Sequence, residues 1–192
     1  MTGLFGGAFD PPHNGHLALV ETALARFELE RLVIVVTGRP PHKRVETDPE
    51  TRFRLAQAAF AAREGVQLSR HELEREGPSY TVDTARWAER EWGDVVLLIG
   101  ADEFADFLGW KDPSDVLRHA RLGVATRPGY PSEAFEEVLE GLEGRERVEL
   151  FEIPALPLSS SEIRARVRRG DPIADMVPKA VAREIELTGL YR

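Results

Sequence analysis

The run Val95-Val96-Leu97-Leu98-Ile99 constrains the fold more than any other segment of this chain. All five residues are apolar, so a strand built from them must be covered on both faces, as in the centre of a parallel sheet. Shorter β-branched runs stand before and after it, and residues with helical spacing separate them. This alternation predicts an α/β fold with a doubly wound parallel sheet and helices on both faces.

The predicted elements follow one another without a linker, an internal repeat or a low-complexity segment. The first predicted strand ends at residue 5, and the other predicted strands cover residues 32–36, 66–69, 95–99, 122–126 and 148–153. The predicted helices cover residues 17–27, 52–62, 80–92, 104–108, 113–120, 133–142, 160–169 and 179–187, and residues 37–49 and 140–147 are predicted as loops. The chain has 192 residues, 42% of them hydrophobic, which suffices for one substantial core. We therefore predict a single domain over residues 1–192.

Residues 6–16, Gly-Gly-Ala-Phe-Asp-Pro-Pro-His-Asn-Gly-His, join the first predicted strand to the first predicted helix. The amide hydrogens at a helix start have no partner within the helix, and the helix dipole favours an anion there. His13 and His16 lie three residues apart near this start, so both imidazoles can face the same anion. The pattern indicates phosphate binding.

Two plainer interpretations apply to the same loop. Glycine pairs before helices are common structural turns, and a histidine pair could bind a metal, since imidazole is a frequent ligand. The chain has no cysteine, and no other histidine is near this loop in sequence, which disfavours a structural zinc site. Phosphate binding is the favoured hypothesis, and no residue is predicted as a metal ligand.

The formal net charge of −8 disfavours a protein that coats nucleic acid, because such proteins have a basic surface. A small polyanionic substrate needs only a local basic pocket and stays compatible with this charge. No apolar run is long enough to span a membrane, and the first residues do not resemble an export signal. We expect a cytoplasmic location with no membrane or nucleic-acid partner, and the sequence leaves homo-oligomerisation open.

A second candidate phosphate site is Leu158-Ser159-Ser160-Ser161-Glu162-Ile163-Arg164. A serine before a helix and an acid in its first turn are ordinary N-capping residues, and they explain one of the three serines. They do not explain the neighbouring hydroxyls or the arginines that follow. Hydroxyl groups and amide hydrogens at a helix start, with an arginine behind them, favour a phosphate group.

Together the two segments resemble the nucleotidyltransferase superfamily of Rossmann-like adenylyl- and cytidylyltransferases. The likeness is carried by Pro-His-Asn-Gly-His at residues 12–16 and by Ser-Ser-Ser-Glu-Ile-Arg at residues 159–164. Further segments stand in the order found in the bacterial nicotinate mononucleotide adenylyltransferase family, and this likeness covers essentially the whole chain. They are Pro40-Pro41-His42-Lys43, Ser79-Tyr80-Thr81, Ile99-Gly100-Ala101-Asp102, Trp110, Arg127-Pro128-Gly129-Tyr130, and Val177-Pro178 with Gly189-Leu190-Tyr191.

The resemblance implies a Rossmann-like sheet with C-terminal helices and an enzyme that joins nicotinate mononucleotide to the AMP moiety of ATP. The implied catalytic residues are His13, His16 and Arg164, with His16 nearest the α-phosphate. The implied ATP-binding residues are Gly7, Ala8, Phe9, Gly100, Asp102, Ser159 and Ser160. The implied mononucleotide-binding residues are Thr37, Lys43, Thr81, Trp110 and Arg127, with Trp110 stacking on the pyridine ring. The resemblance also implies Mg²⁺ as a cofactor carried mainly by ATP and water.

Alternatives stay open at this point. A phosphopantetheine adenylyltransferase has a similar phosphate loop and serine segment, although the Pro-Pro-His-Lys segment and Trp110 argue against it. A regulatory protein that binds ATP without turning it over is the alternative from another class. Taken singly, Trp110 could cover a core edge, Asp102 could cap a helix and Arg127 could be an ordinary surface residue. Their occurrence together, in family order, favours the enzyme.

Overall fold

Six parallel strands form one sheet in the computed structural model, which describes residues 1–41, 45–130 and 135–192. The strands are β1 (Thr2–Gly7), β2 (Arg31–Val36), β3 (Val66–Ser69), β4 (Val95–Gly100), β5 (Arg121–Thr126) and β6 (Val148–Glu152). Their order across the sheet is β3-β2-β1-β4-β5-β6. The predicted α/β fold with a doubly wound parallel sheet is confirmed.

Helices connect the strands and follow the last one. They are α1 (Asn14–Arg26), α2 (Pro49–Phe60), α3 (His71–Glu74), α4 (Thr81–Trp92), α5 (Ala101–Ala105), α6 (Pro113–His119), α7 (Glu136–Glu140), α8 (Ser160–Arg169) and α9 (Lys179–Thr188). Short 3-10 helices cover Phe107–Gly109 and Arg145–Arg147. Among the described helices, none is long and apolar enough to cross a membrane.

Three predicted segments differ from the structure. The helix predicted over residues 104–108 is instead α5 followed by a 3-10 helix, because α5 begins directly after β4, where the Glu103 carboxylate accepts the Gly100 N–H at 3.2 Å. The helix predicted over residues 133–142 is observed only as Glu136–Glu140, and residues 133 and 134 lie outside the described residues. The loop predicted over residues 140–147 ends in a 3-10 helix, and the short α3 was not predicted.

The alternation of side chains along the strands builds two cores, one on each face of the sheet. Phe5 and Ile34 belong to the core covered by α1, α2, α8 and α9, whereas their neighbours Leu4 and Val33 belong to the core covered by α4, α5 and α6. Burying an aliphatic or aromatic side chain of this size contributes about 1.5–3 kcal/mol. Both faces of β1 and β4 are therefore committed to packing, which leaves only the strand ends for function.

The strand order reverses beside β1, because the chain runs outward through β2 and β3 and then returns to place β4 on the other side. Parallel sheets bind ligands in the crevice at the carboxyl ends of the strands where this reversal occurs. Here the crevice lies between Gly7, the last residue of β1, and Gly100, the last residue of β4. The fold thus positions the predicted phosphate loop at the expected ligand site.

Candidate active site

The loop between β1 and α1 is held in an unusual backbone path. Phe9 has φ of 50°, and the Asp10-Pro11 peptide bond is cis. The Phe9 ring is buried with edge contacts to Phe5 at 5.5 Å and Phe60 at 5.6 Å, measured between ring centroids. A Cβ atom on Gly7 would lie 2.8 Å from the Phe9 ring, so a larger residue at this position would displace the ring. Gly7 therefore lets the ring fold beneath the loop.

The two predicted histidines lie together at the start of α1. Their rings stack with centroids 3.7 Å apart, and the His13 backbone N–H donates to His16 Nδ1 at 3.1 Å. Because Nδ1 of His16 accepts this bond, a neutral His16 ring has its proton on Nε2, where it can be donated to a ligand. The edge of Phe9, 5.2 Å away between centroids, also fixes the orientation of this ring.

His13 is uncharged at neutral pH. Burial lowers the pKa of His13 from 6.5 to about 4, because the charged form would lose its hydration. Its Nδ1 atom is buried and has no hydrogen-bond partner among the described residues. At neutral pH His13 therefore offers hydrogen bonds to a ligand without a formal charge.

Helix α8 packs its first turn against the phosphate loop, which brings the two predicted phosphate segments together across about 150 residues of sequence. Ser160 Oγ donates to the Pro11 carbonyl at 2.8 Å, and Arg164 Nη1 donates to the Asp10 carbonyl at 2.8 Å. Ser159 caps α8, its hydroxyl oxygen accepting the Glu162 N–H at 3.1 Å. Ser160 and Arg164 thus secure the loop in addition to any contact with a ligand.

Arg164 also forms a salt bridge with a carboxylate of the protein itself. Its Nε donates to a Glu46 carboxylate oxygen at 2.9 Å, and Arg168 contacts the other oxygen of the same carboxylate. The Arg164 side chain is only 15% exposed, whereas Glu46 and Arg168 are 42% and 47% exposed. A carboxylate bound between two arginines marks a position with a strong preference for negative charge.

Asp10 fastens the loop from below. Tyr191 Oη donates to one of its carboxylate oxygens at 2.7 Å, and the Glu46 backbone N–H donates to the other at 2.8 Å. Burial alone would raise the pKa of Asp10, but hydrogen bonds from Thr47, Tyr191 and the Glu46 N–H together lower it. The carboxylate is therefore ionised and fully engaged at neutral pH.

Arg52 on α2 was not predicted, although it is the most deeply buried charge near the site. It is 0% exposed and donates to four carbonyl oxygens. The acceptors and distances are Thr47 (3.0 Å), Ala8 (2.9 Å), Thr37 (2.7 Å) and Gly38 (3.1 Å). One guanidinium thereby joins the phosphate loop, the end of β2 and the segment before α2. No sequence signal distinguishes Arg52 from Arg54, the other arginine of this helix.

A cavity of about 590 Å³ opens beside the loop, at the crevice between β1 and β4. Its wall contains Gly7 and Ala8 of the phosphate loop, together with Thr37, Thr81 and Trp110. Thr81 is the first residue of α4, so the N-terminus of a 12-residue helix reaches the cavity. With Asp102, six of the residues assigned by resemblance thus surround one space large enough for a nucleotide.

The aromatic side of the cavity is partly rigid. The half-buried Trp110 ring packs against Phe107 with centroids 5.1 Å apart, and Lys111 Nζ lies 4.3 Å above the Tyr80 ring centre. Trp110 is packed on one side by the core, which leaves the part that lines the cavity available for a planar ring. Lys111 contributes a positive charge to the same wall.

Four predicted residues remain, which are Gly100, Asp102, Arg127 and Lys43. Gly100 lies where β4 ends and α5 begins, and Asp102, exposed in the first turn of α5, is part of the cavity wall. Arg127 is exposed and, as far as the described ranges show, stands apart from this wall. Lys43 lies outside the described residues. Within those residues no group of three or more His, Asp or Glu side chains is arranged to hold a metal ion.

A strand–loop–helix phosphate site at the switch point of a parallel sheet, closed by a second helix N-terminus, defines a nucleotide-binding α/β protein. The chain belongs to the cytidylyltransferase-like family, whose model matches residues 4–166. It is 44% identical, over 99% of its length and 91% of the relative's, to the probable nicotinate-nucleotide adenylyltransferase of Moorella thermoacetica. It is 41% identical to the protein so named in Thermus thermophilus, over 99% and 98% of the two lengths. The resemblance found in the motifs is confirmed.

Solved structures agree in fold. The nicotinic acid mononucleotide adenylyltransferase of Plasmodium falciparum complexed with NaAD matches with a TM-score of 0.79 at 18% identity, over 99% of this chain and 96% of that one. A putative nicotinate-nucleotide adenylyltransferase from Vibrio parahaemolyticus matches with a TM-score of 0.68 at 19% identity, over 100% and 94% of the two chains. The predicted Rossmann-like architecture is confirmed.

Proposed function

We propose that the chain is an adenylyltransferase that joins nicotinate mononucleotide to the AMP moiety of ATP, giving nicotinate adenine dinucleotide and pyrophosphate in NAD biosynthesis. The observation that supports it most directly is the junction of the histidine loop and α8 beside the cavity lined by Thr81 and Trp110. Relatives of 38–44% identity over nearly the whole chain carry the name of this activity.

The reaction needs little covalent help from the protein. A phosphate monoester has a second pKa of about 6, so the mononucleotide phosphate is largely dianionic at neutral pH and already nucleophilic. It attacks the α-phosphorus of ATP, and the bond from that phosphorus to the bridging oxygen breaks to release pyrophosphate. The enzyme must bring two polyanions into line and stabilise the charge that develops on the transferred phosphoryl group.

The proposed roles follow from this requirement. His16 donates from Nε2 to an α-phosphate oxygen, and neutral His13 and the amide hydrogens of Gly7, Ala8 and Phe9 line the path of the phosphates. Arg164, with Ser159 and Ser160 at the start of α8, binds the triphosphate once ATP displaces Glu46 from the guanidinium. Gly100 and Asp102 hold the adenosine ribose.

The mononucleotide side is assigned to the cavity. The Trp110 ring stacks on the pyridine, and the free amide hydrogens at the start of α4 bind its carboxylate at Thr81. Thr37, Lys43 and Arg127 complete the proposed pocket. Mg²⁺ enters as part of ATP, since ATP phosphates and water supply the oxygen ligands this ion prefers. A cytoplasmic location and the absence of nucleic-acid partners stay predictions.

Pyrophosphate release tests the proposal. ATP is supplied with nicotinate mononucleotide, nicotinamide mononucleotide or phosphopantetheine in parallel, and we expect fastest turnover with the first. Fastest turnover with phosphopantetheine would identify the other adenylyltransferase, and ATP binding without release under any condition would indicate a regulatory protein.

His16→Ala should lower turnover by two orders of magnitude or more, about 3 kcal/mol of transition-state stabilisation, with a smaller effect on the KM for the mononucleotide. His119→Ala is the matched control, because His119 lies on α6 and contacts Glu89 at 2.7 Å, away from the cavity wall. Near-normal turnover in His16→Ala would exclude a transition-state role for this imidazole.

A further inference from the structure

Glu72 is a buried acid in the wall of the mononucleotide cavity that no proposed step uses. It lies on α3 with 8% of its surface exposed, and it borders the cavity together with Ser79, Thr81 and Thr84. Burying a carboxyl group in this way is costly unless hydrogen bonds or opposite charges compensate. The contacts of its two carboxyl oxygens therefore indicate which protonation state of Glu72 the surrounding residues favour.

The two oxygens have different surroundings. The Thr84 hydroxyl donates to Glu72 Oε1 at 2.6 Å, whereas Oε2 is buried with no hydrogen-bond partner among the described residues. An ionised carboxylate would leave negative charge on this unpartnered oxygen, and the protonated acid avoids that cost.

The charges around Glu72 do not offset its burial. Burial raises the pKa of Glu72, and the bond from Thr84, the nearby donors of Ser79 and the Gly38 N–H, and the charge of Arg75 lower it by less. The Arg75 guanidinium is paired with the Asp83 carboxylate at 3.4 Å, and the Arg52 guanidinium donates to backbone carbonyl groups. The other charged side chains of the cavity wall are Asp102, Glu103, Asp106 and Lys111.

The N-terminus of α4 lies next to this acid. Thr84, which donates to Glu72, is one turn after Thr81, where the proposed function puts the pyridine carboxylate. A negative charge at this helix start would favour the protonated form of a neighbouring acid, and an ionised acid would in turn repel the negative charge. A neutral carboxamide at the same position would have neither effect.

We propose that Glu72 is a specificity-determining residue, which admits the anionic pyridine carboxylate to the site only while it is itself protonated. The inference rests on the proposed function, since it concerns the ring substituent of that substrate. Binding of nicotinate mononucleotide to enzyme with ionised Glu72 takes up one proton from solvent. Binding of nicotinamide mononucleotide takes up none at this position.

The test compares the ratio of the KM for nicotinate mononucleotide to the KM for nicotinamide mononucleotide from pH 5 to pH 9.5, because both substrates carry the same phosphate and its ionisation cancels in the ratio. In the wild-type protein we expect this ratio to rise about fivefold or more across the range as Glu72 ionises, since an ionised Glu72 repels only the substrate with the carboxylate. Glu72→Gln keeps an acceptor for Thr84 but cannot ionise, so its KM ratio should change less than twofold over the same range.

Asp106→Asn is the matched control, since it removes an exposed carboxylate from the same cavity wall and should keep the wild-type pH dependence. Calorimetry of mononucleotide binding to the wild-type protein, in buffers of different ionisation enthalpy, measures the proton uptake without any variant. Parallel profiles of the KM ratio for the wild type and Glu72→Gln, or equal proton uptake for the two mononucleotides at every pH from 5 to 9.5, would overturn the proposal. If the wild type does not use nicotinate mononucleotide at all, the proposed function fails instead.

Discussion

Replacing Arg52 by methionine should destabilise the protein more than any other single loss of charge near the site. Methionine fills a similar volume but leaves the carbonyl groups of Ala8, Thr37, Gly38 and Thr47 without their donor. At about 1 kcal/mol for each buried acceptor, the direct loss is about 4 kcal/mol. The variant also avoids the cost of burying a guanidinium, which reduces the net loss to about 2–3 kcal/mol.

Urea unfolding followed by tryptophan fluorescence measures this loss, and the midpoint of thermal unfolding should fall by about 5–10 °C for a chain of this length. Arg54→Met is the matched control on the same helix, because the Arg54 side chain is 52% exposed and its pair with Glu184 contributes under about 1 kcal/mol. We also expect kcat/KM to fall in the Arg52 variant, since the phosphate loop loses its bond at Ala8. Equal stability of the Arg52 and Arg54 variants would refute the reasoning.

Three further predictions concern the site. Tyr191→Phe removes a hydrogen bond to the ionised Asp10 and should lower the free energy of unfolding by about 1.5–3 kcal/mol at pH 7. Because the pKa of Asp10 is lowered in the folded state, this contribution is lost as the carboxylate is protonated, so the urea midpoints of variant and wild type should converge as the pH falls below 3.8. The pKa of His13 is lowered to about 4, so the wild type should lose stability as the pH falls from 6.5 towards 4, and His13→Gln should lose less; identical pH profiles would contradict this. Trp110→Ala should raise the KM for the mononucleotide at least about tenfold and leave the KM for ATP within about twofold, as measured by pyrophosphate release.

The sequence predicted those parts of the molecule whose determinants are local. The uninterrupted apolar run at Val95 predicted a central strand, and the glycine–histidine loop predicted an anion site because strand, loop and helix are adjacent in sequence. Ser160 and Arg164 were assigned to phosphate by residue type, and the structure also gives them carbonyl partners in the loop. Such a double use has no signature in a local pattern.

Arg52 and Glu72 could not have been found in this way. Each lies in a helix with another residue of the same charge, Arg54 in α2 and Glu74 in α3, and nothing in the local sequence separates the buried charge from the solvated one. Their burial arises from contacts with Ala8 and Thr37 in one case and with Gly38 and Thr84 in the other, all brought together by the sheet. Residues that act through distant backbone groups become visible only when the topology is known.

The bonds that secure Asp10 and Pro11 have a consequence for biosynthesis. Their partners Ser160, Arg164 and Tyr191 follow them by 149, 154 and 181 residues. On the ribosome, the chain can complete its sheet at Glu152 while the loop between β1 and α1 still lacks all three of these contacts. These last contacts of the loop between β1 and α1 can therefore form only after every strand of the sheet has been synthesised.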